Sequence, residues 1–206
     1  DLYEKSSIIN FLQSYEAALN NLIKCHYIKD VSILSKEQEA ELESFNNTKA
    51  DFDLSKSVVD MFSEMVLKYP KHTAVVYKDK RINYAELNEI TANLAGYLIN
   101  SGLKEEDIIA VLIPRNEYMA IISLGIAKCG SAYQPLDPTY PQDRLHFMLR
   151  DSEAKLLITT KEMQSLVPEY TGKKLFVEDI PNLPEYKSDL PKPSPKDLFT
   201  LLYTSG

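Results

Sequence analysis

Thr204, Ser205 and Gly206 follow the apolar run LFTLLY, and they are the residues whose types and spacing could do chemistry. An apolar run that breaks into two hydroxyl side chains and a glycine reads as a buried strand opening into a small-residue turn. Free backbone N–H groups and hydroxyls on such a turn can hold phosphate. The tripeptide is not a Walker loop, because the lysine and spacing of GxxxxGK[ST] are missing. Alone it is a weak signal, since Thr-Ser-Gly turns occur in many loops, so its neighbours must decide.

No second reactive group competes with it. Cys25 and Cys129 lie far apart, and His26, His72 and His146 share no ligand spacing with each other or with a cysteine. That leaves no metal pattern and two free thiols of a reducing compartment. With 206 residues, 44% of them apolar, the chain can bury the core of one ordinary domain and carry an appendage. A net charge of -7 disfavours nucleic acid and anionic membrane as partners. The basic run KDKR at 78–81 is too short to reverse this and reads as a solvated turn. The most apolar stretch, YMAIISLGIAKCGSAY, is too short for a membrane span and contains Lys128, so it reads as a buried helix. There is no signal-peptide pattern, and a cytoplasmic location is expected.

Two kinds of organisation follow one another along the chain. Residues 6–22 place Ile9, Leu12, Tyr15, Leu19 and Leu22 at helical spacing, an amphipathic face in need of a cover. Ser35 and Gln38 have capping-box spacing and open a second helix over 36–45. From residue 58 helices alternate with short apolar strands. Helices are expected at 58–69, 85–101, 116–128, 142–151 and 161–166. Strands are expected at 73–77, 82–84, 107–113, 131–134, 154–159 and 174–177, with a final one at 199–203. Gly102 and Gly130 stand where helices stop. The prolines of PLDPTYP forbid regular structure there, and the Pro-rich stretch 181–195 reads as a surface connection. This alternation is the pattern of an α/β fold with a layered α/β/α sheet, whose ligands gather beyond the carboxyl ends of the strands. The final strand would deliver Thr204–Gly206 to that edge.

Four stretches, in order, resemble the amino-acid adenylation domain of a nonribosomal peptide synthetase. INYAEL (82–87) resembles the motif LTYxEL, and AKCGSAYQPLD (127–137) resembles LKAGxAYVPID. YPQDRLHFMLRDSEAKLLIT follows YPxERLxxMLxDSxAxxLLT. LLYTSG (201–206) resembles the first half of the phosphate loop YTSGTTGxPKG. The resemblance covers roughly residues 50–206. Residues 1–48 are similar to the end of a condensation domain and its linker, commonly LPLLTEAERxxLLxxWNxT, with Phe45 where tryptophan is usual. The domains implied are a C-terminal condensation segment at 1–30, a linker with a short helix at 31–52, and the N-terminal portion of an adenylation domain at 53–206. The chain would then be a piece of a larger synthetase, stopping inside the phosphate loop.

The resemblance implies that the parent domain joins an amino acid to ATP with Mg²⁺, releasing pyrophosphate. The acyl group then passes to the phosphopantetheine thiol of a carrier domain. Partners would be the condensation domain upstream, the carrier domain downstream and the amino acid, with no nucleic acid and no membrane. Thr204, Ser205 and Gly206 would grip ATP phosphates. No catalytic or metal-binding residue of the family falls within these 206 positions, so the piece alone is expected to be inactive. Tyr84 and Glu86 are read as fixing a helix start, and Asp137 as capping its turn. Arg144 is read as pairing with Asp137 or Asp151. Two readings compete: another adenylate-forming ligase acting on acyl or aryl acids, and a non-enzymatic helical docking scaffold.

Overall fold

The computed structural model describes residues 2–204 and divides into two compact units, Asp1–Phe52 and Asp53–Gly206. In the first, helix α1 (Lys5–Leu22) and helix α2 (Lys36–Asn46) are separated by a 3₁₀ turn, Ile28–Asp30. The capping box forms as expected: the Gln38 amide donates to Ser35 Oγ at 3.3 Å, and the Ser35 amide donates to Gln38 Oε1 at 2.9 Å. Gln38 also bonds Ser14 of α1 at 3.3 Å, so a polar contact joins the two helices. The apolar stripe of α1 is present but uncovered, with Ile9, Leu12, Tyr15, Leu19 and Leu22 between 45% and 58% exposed.

The second unit begins with α3 (Val58–Lys68), capped by Ser57 and Asp60, and the hairpin of β1 (Thr73–Tyr77) and β2 (Lys80–Asn83). Then come α4 (Tyr84–Asn100), β3 (Ile108–Leu112), α5 (Tyr118–Lys128) and β4 (Ala132–Pro135). The unit continues with α6 (Gln142–Asp151), β5 (Leu156–Thr159) and β6 (Lys173–Phe176). Short 3₁₀ turns at Met163–Leu166 and Val177–Asn182 follow β5 and β6. The short helix expected at 161–166 is thus a 3₁₀ turn.

Strands β3 to β6 form one parallel sheet in the order β4-β3-β5-β6. Side-chain alternation divides its two faces. Ile109, Val111, Leu156 and Ile158 join the core beneath α4 and α5, whereas Ala110, Leu112 and Leu157 join the core beneath α6. Both faces are buried, which is why these strands read as unbroken apolar runs. Three helices stop in the same manner before β3, β4 and β5. After α4 the Gly102 amide donates to the Ile99 carbonyl and the Leu103 amide to the Leu98 carbonyl. Gly130 and Ser131 repeat this after α5, and Glu153 and Ala154 after α6. The turn residues have φ of +86°, +80° and +50°, a conformation natural to glycine and borne here also by Glu153.

One sequence expectation needs correction here, and three others stand with added detail. Residues 199–203 do not form a strand; a single parallel bridge joins Thr200 to Tyr133. The Pro-rich stretch is not merely superficial. The Tyr186 ring lies against Gly96 so closely that a Cβ there would stand 2.1 Å from Tyr186 Cδ2, and the Tyr186 amide donates to Asn93 Oδ1 at 2.9 Å. In KDKR, Lys78 and Asp79 make the turn, but Lys80 pairs with the buried carboxylate of Glu117. Burial pushes the Glu117 carboxyl up, yet the Lys80 ammonium and a backbone N–H outweigh it and hold the group below its ordinary value. Lastly, Lys128 does not merely interrupt an apolar helix; its ammonium is buried and donates to Asn88 Oδ1, the Asn88 carbonyl and Thr91 Oγ1 at 2.8, 3.1 and 2.8 Å. Among the described residues, no helix is long and apolar enough to cross a membrane.

Candidate functional site

The chain leaves β3 for β4 on one side and returns across it to β5 on the other, so the strand order reverses between β3 and β5. In open α/β sheets, a crevice for ligand opens at the carboxyl ends of strands where the order reverses. A cavity of about 500 Å³ lies there. Its walls come from the end of β3 (Val111, Ile113, Pro114, Arg115), the loop after β4 (Leu136 to Tyr140) and Met163 after β5. Met119, Pro135 at the end of β4, Met148, Leu202 and Tyr203 complete it.

Leu202 and Tyr203 bring the chain to this rim, and Thr204 follows them, exposed. Ser205 and Gly206, the other two residues expected to hold phosphate, lie outside the described residues. The approach is held by few bonds. The Tyr133 amide donates to the Phe199 carbonyl at 3.0 Å, and the Leu201 amide donates to the Tyr133 carbonyl at 2.9 Å. Thr200 Oγ1 adds a 3.0 Å bond to that same carbonyl. Further on, the Tyr203 hydroxyl donates to Asp151 Oδ2 at 2.6 Å, and its ring meets Phe147 edge-on with centroids 6.3 Å apart. Partial burial and the neighbouring carboxylate push the Tyr203 phenol up to about 12, so it remains a donor at neutral pH.

The loop after β4 is shaped by Asp137, whose Oδ1 accepts from the Thr139 amide at 2.9 Å and from Thr139 Oγ1 at 2.8 Å. Those bonds, with Arg115 nearby, hold its carboxyl below the ordinary value. Asp137 therefore caps its turn, as expected. Glu86 and Asn83 form a reciprocal cap at the start of α4, each amide donating to the other's side chain at 2.9 Å. Arg144 departs from expectation. Among the described residues it pairs with neither Asp137 nor Asp151; its guanidinium lies 4.3 Å from the centre of the Tyr140 ring. Asp137 is occupied by Thr139, and Asp151 by Tyr203.

Sequence reasoning missed Arg115, Tyr140 and Tyr203 as cavity residues. Arg115 could have been found, since a charged residue just beyond a buried strand and a proline must stand at the sheet edge. The described residues bring together no group of three carboxylate, imidazole or thiol side chains able to hold a metal.

Known proteins match this arrangement. The chain is 33% identical over 199 residues to tyrocidine synthase 2 of Brevibacillus parabrevis, covering 96% of this chain and 6% of that protein. It is 33% identical over 213 residues to bacitracin synthase 2 of Bacillus licheniformis, covering 100% of this chain and 8% of that one. The chain thus spans a small fraction of the relatives it matches. Among solved structures, the N-terminal subdomain of Klebsiella oxytoca NpsA in complex with 3-hydroxybenzoyl-AMSN superposes with a TM-score of 0.68 at 27% identity. That match covers 77% of this chain and 40% of the NpsA chain. NpsA-ThdA, an artificially fused adenylation–PCP di-domain from Klebsiella oxytoca, matches with a TM-score of 0.67 at 28% identity over 73% of this chain and 28% of that one. Residues 62–206 match the family model described as AMP-binding enzyme, so this chain belongs to the AMP-binding enzyme family.

Proposed function

We propose that these residues are the N-terminal portion of an amino-acid adenylation domain in a nonribosomal peptide synthetase. Residues 1–30 would come from the end of a condensation domain and 31–52 from the linker. The observation that carries the reading is the arrival of Leu202 and Tyr203, directly before Thr204, at an open cavity beyond the carboxyl ends of a doubly wound parallel sheet. The resemblance to peptide synthases over nearly the whole chain supports it.

In this reading an amino-acid carboxylate attacks the α-phosphorus of ATP and pyrophosphate leaves. Thr204, Ser205 and the Gly206 backbone meet the β- and γ-phosphates as negative charge gathers on them, and hydroxyl and N–H donors lower that barrier electrostatically. ATP carries the reaction, and Mg²⁺ would be held by residues other than those described. The acyl group then moves to the phosphopantetheine of a carrier domain, a partner suggested by the adenylation–PCP fusion of NpsA. We place the enzyme in the cytoplasm, where ATP is supplied.

The test is substrate-dependent exchange of labelled pyrophosphate into ATP by the full-length synthetase that carries this segment. Exchange with one amino acid is expected, and the isolated 206 residues should show none. A Thr204→Ala/Ser205→Ala double variant should lose about 10²- to 10³-fold in kcat, the cost of removing charge-stabilising donors. The aryl ligand of NpsA favours one second reading, an aryl-acid substrate, so the panel includes hydroxybenzoates. Exchange with these and with no amino acid would move the assignment to that reading. No exchange with either class would overturn both.

A further inference from the structure

We propose that Pro135 and the Tyr203–Asp151 hydrogen bond are positioning devices that set where the chain leaves the sheet, and so fix the phosphate loop. The inference rests on the adenylation reading above and extends it to residues outside the phosphate-binding tripeptide.

The ladder between β4 and the incoming segment starts normally. Tyr133 gives its N–H to Phe199 and takes one from Leu201. In a parallel pair the same strand offers its next N–H two residues later. That residue is Pro135, which has no N–H to offer the Leu201 carbonyl. Pairing therefore ends at one bridge, and Leu202, two residues beyond Thr200, stands 64% exposed. The expected strand at 199–203 fails for this reason, although its composition is suited to a strand.

A second hold replaces the lost ladder. Tyr203 reaches the last residue of α6, donating to Asp151 at 2.6 Å, a charge-assisted bond. The anchor itself is firm. Buried Gln134 of β4 donates to the Met148 carbonyl at 3.2 Å and accepts from Ser152 Oγ at 2.9 Å, fixing the end of α6 on both sides of Asp151. The chain is thus tied at Thr200, released at Pro135 and tied again at Tyr203, one residue before Thr204. Donors that must meet a phosphate in one geometry gain from being held before ligand arrives, because less freedom is lost on binding.

The experiment uses Tyr203→Phe, Asp151→Ala and the double variant in the full-length synthetase, with Pro135→Ala as an independent probe. Pyrophosphate exchange is measured against ATP and against amino acid, and hydrogen exchange at the Thr204 amide is followed without nucleotide. Each single variant should raise KM for ATP about tenfold, leave KM for the amino acid within about twofold, and speed exchange at Thr204. The double variant should be no worse than either single one, since both remove one bond. Pro135→Ala, which restores the missing donor, should also raise KM for ATP while leaving the thermal midpoint unchanged or higher. An unchanged KM for ATP, additive losses, or equal rises for both substrates would overturn the proposal. If the unmodified enzyme exchanges nothing, the adenylation reading fails and the positioning role falls with it. Faster hydrogen exchange in Tyr203→Phe would then show the anchor to be structural only.

Discussion

Gly125→Leu lowers the unfolding free energy by about 3 kcal/mol, the upper end of what overpacking a core costs. Helices α4 and α5 meet at this glycine. A Cβ built there stands 2.6 Å from Leu94 Cδ2, 2.9 Å from its Cγ and 3.2 Å from its Cβ. Leu94 is fully buried, so it has nowhere to turn. Leucine also has the better helix propensity, a gain of about 1 kcal/mol at most, which the clash outweighs. Gly125→Ala should cost less, because it adds the Cβ without the three further carbons of leucine. Urea unfolding of the three proteins measures this. A change below about 0.5 kcal/mol for the leucine variant would show that the helices do not meet here.

The second large effect belongs to Lys128. Its side chain is 3% exposed and its three protons go to neutral oxygens of Asn88 and Thr91, with the Phe62 ring 5.1 Å from Nζ. Burial without a carboxylate brings its pKa down from 10.5 to about 8. The folded state thus loses its proton first as pH rises. Between pH 8 and 10.5 the unfolded chain binds more protons, so stability increases through that window. Below pH 8 both states hold the proton and the charge weakens the fold by about 3 kcal/mol. Lys128→Met removes that charge but leaves Asn88 without its donor, which returns part of the gain, on the order of 1 kcal/mol. The variant should therefore be more stable than the parent at pH 7, and its advantage should vanish by about pH 10.5. Unfolding of both proteins across this range gives the difference, in which tyrosines and Cys129 cancel. A difference that stays flat with pH would refute a buried ammonium.

What could be foreseen divides along a physical line. Strands β3 and β5, the helix stops at Gly102 and Gly130, and the caps at Ser35 and Glu86 depend on neighbours a few residues away, and each forms where expected. The pairing of Lys80 with Glu117 depends on which elements the fold brings together, and no local pattern encodes a contact that spans 37 residues. The final strand fails for a mixed reason: residues 199–203 are suited to a strand, but the partner they meet carries a proline at the deciding place. The cavity was foreseen as a place, the carboxyl edge of the sheet, but not in its lining. Arg115 and Tyr203 are ordinary residues until topology sets them at one rim.

The four paired strands of the sheet all lie between residues 108 and 176, and the segment carrying YTSG touches it through one bridge at Thr200. During synthesis the strands of this scaffold can therefore pair while residues 199–204 are still inside the ribosome. Those residues would then dock onto an edge that is already formed, so the element least secured by the fold is made after the strands that receive it.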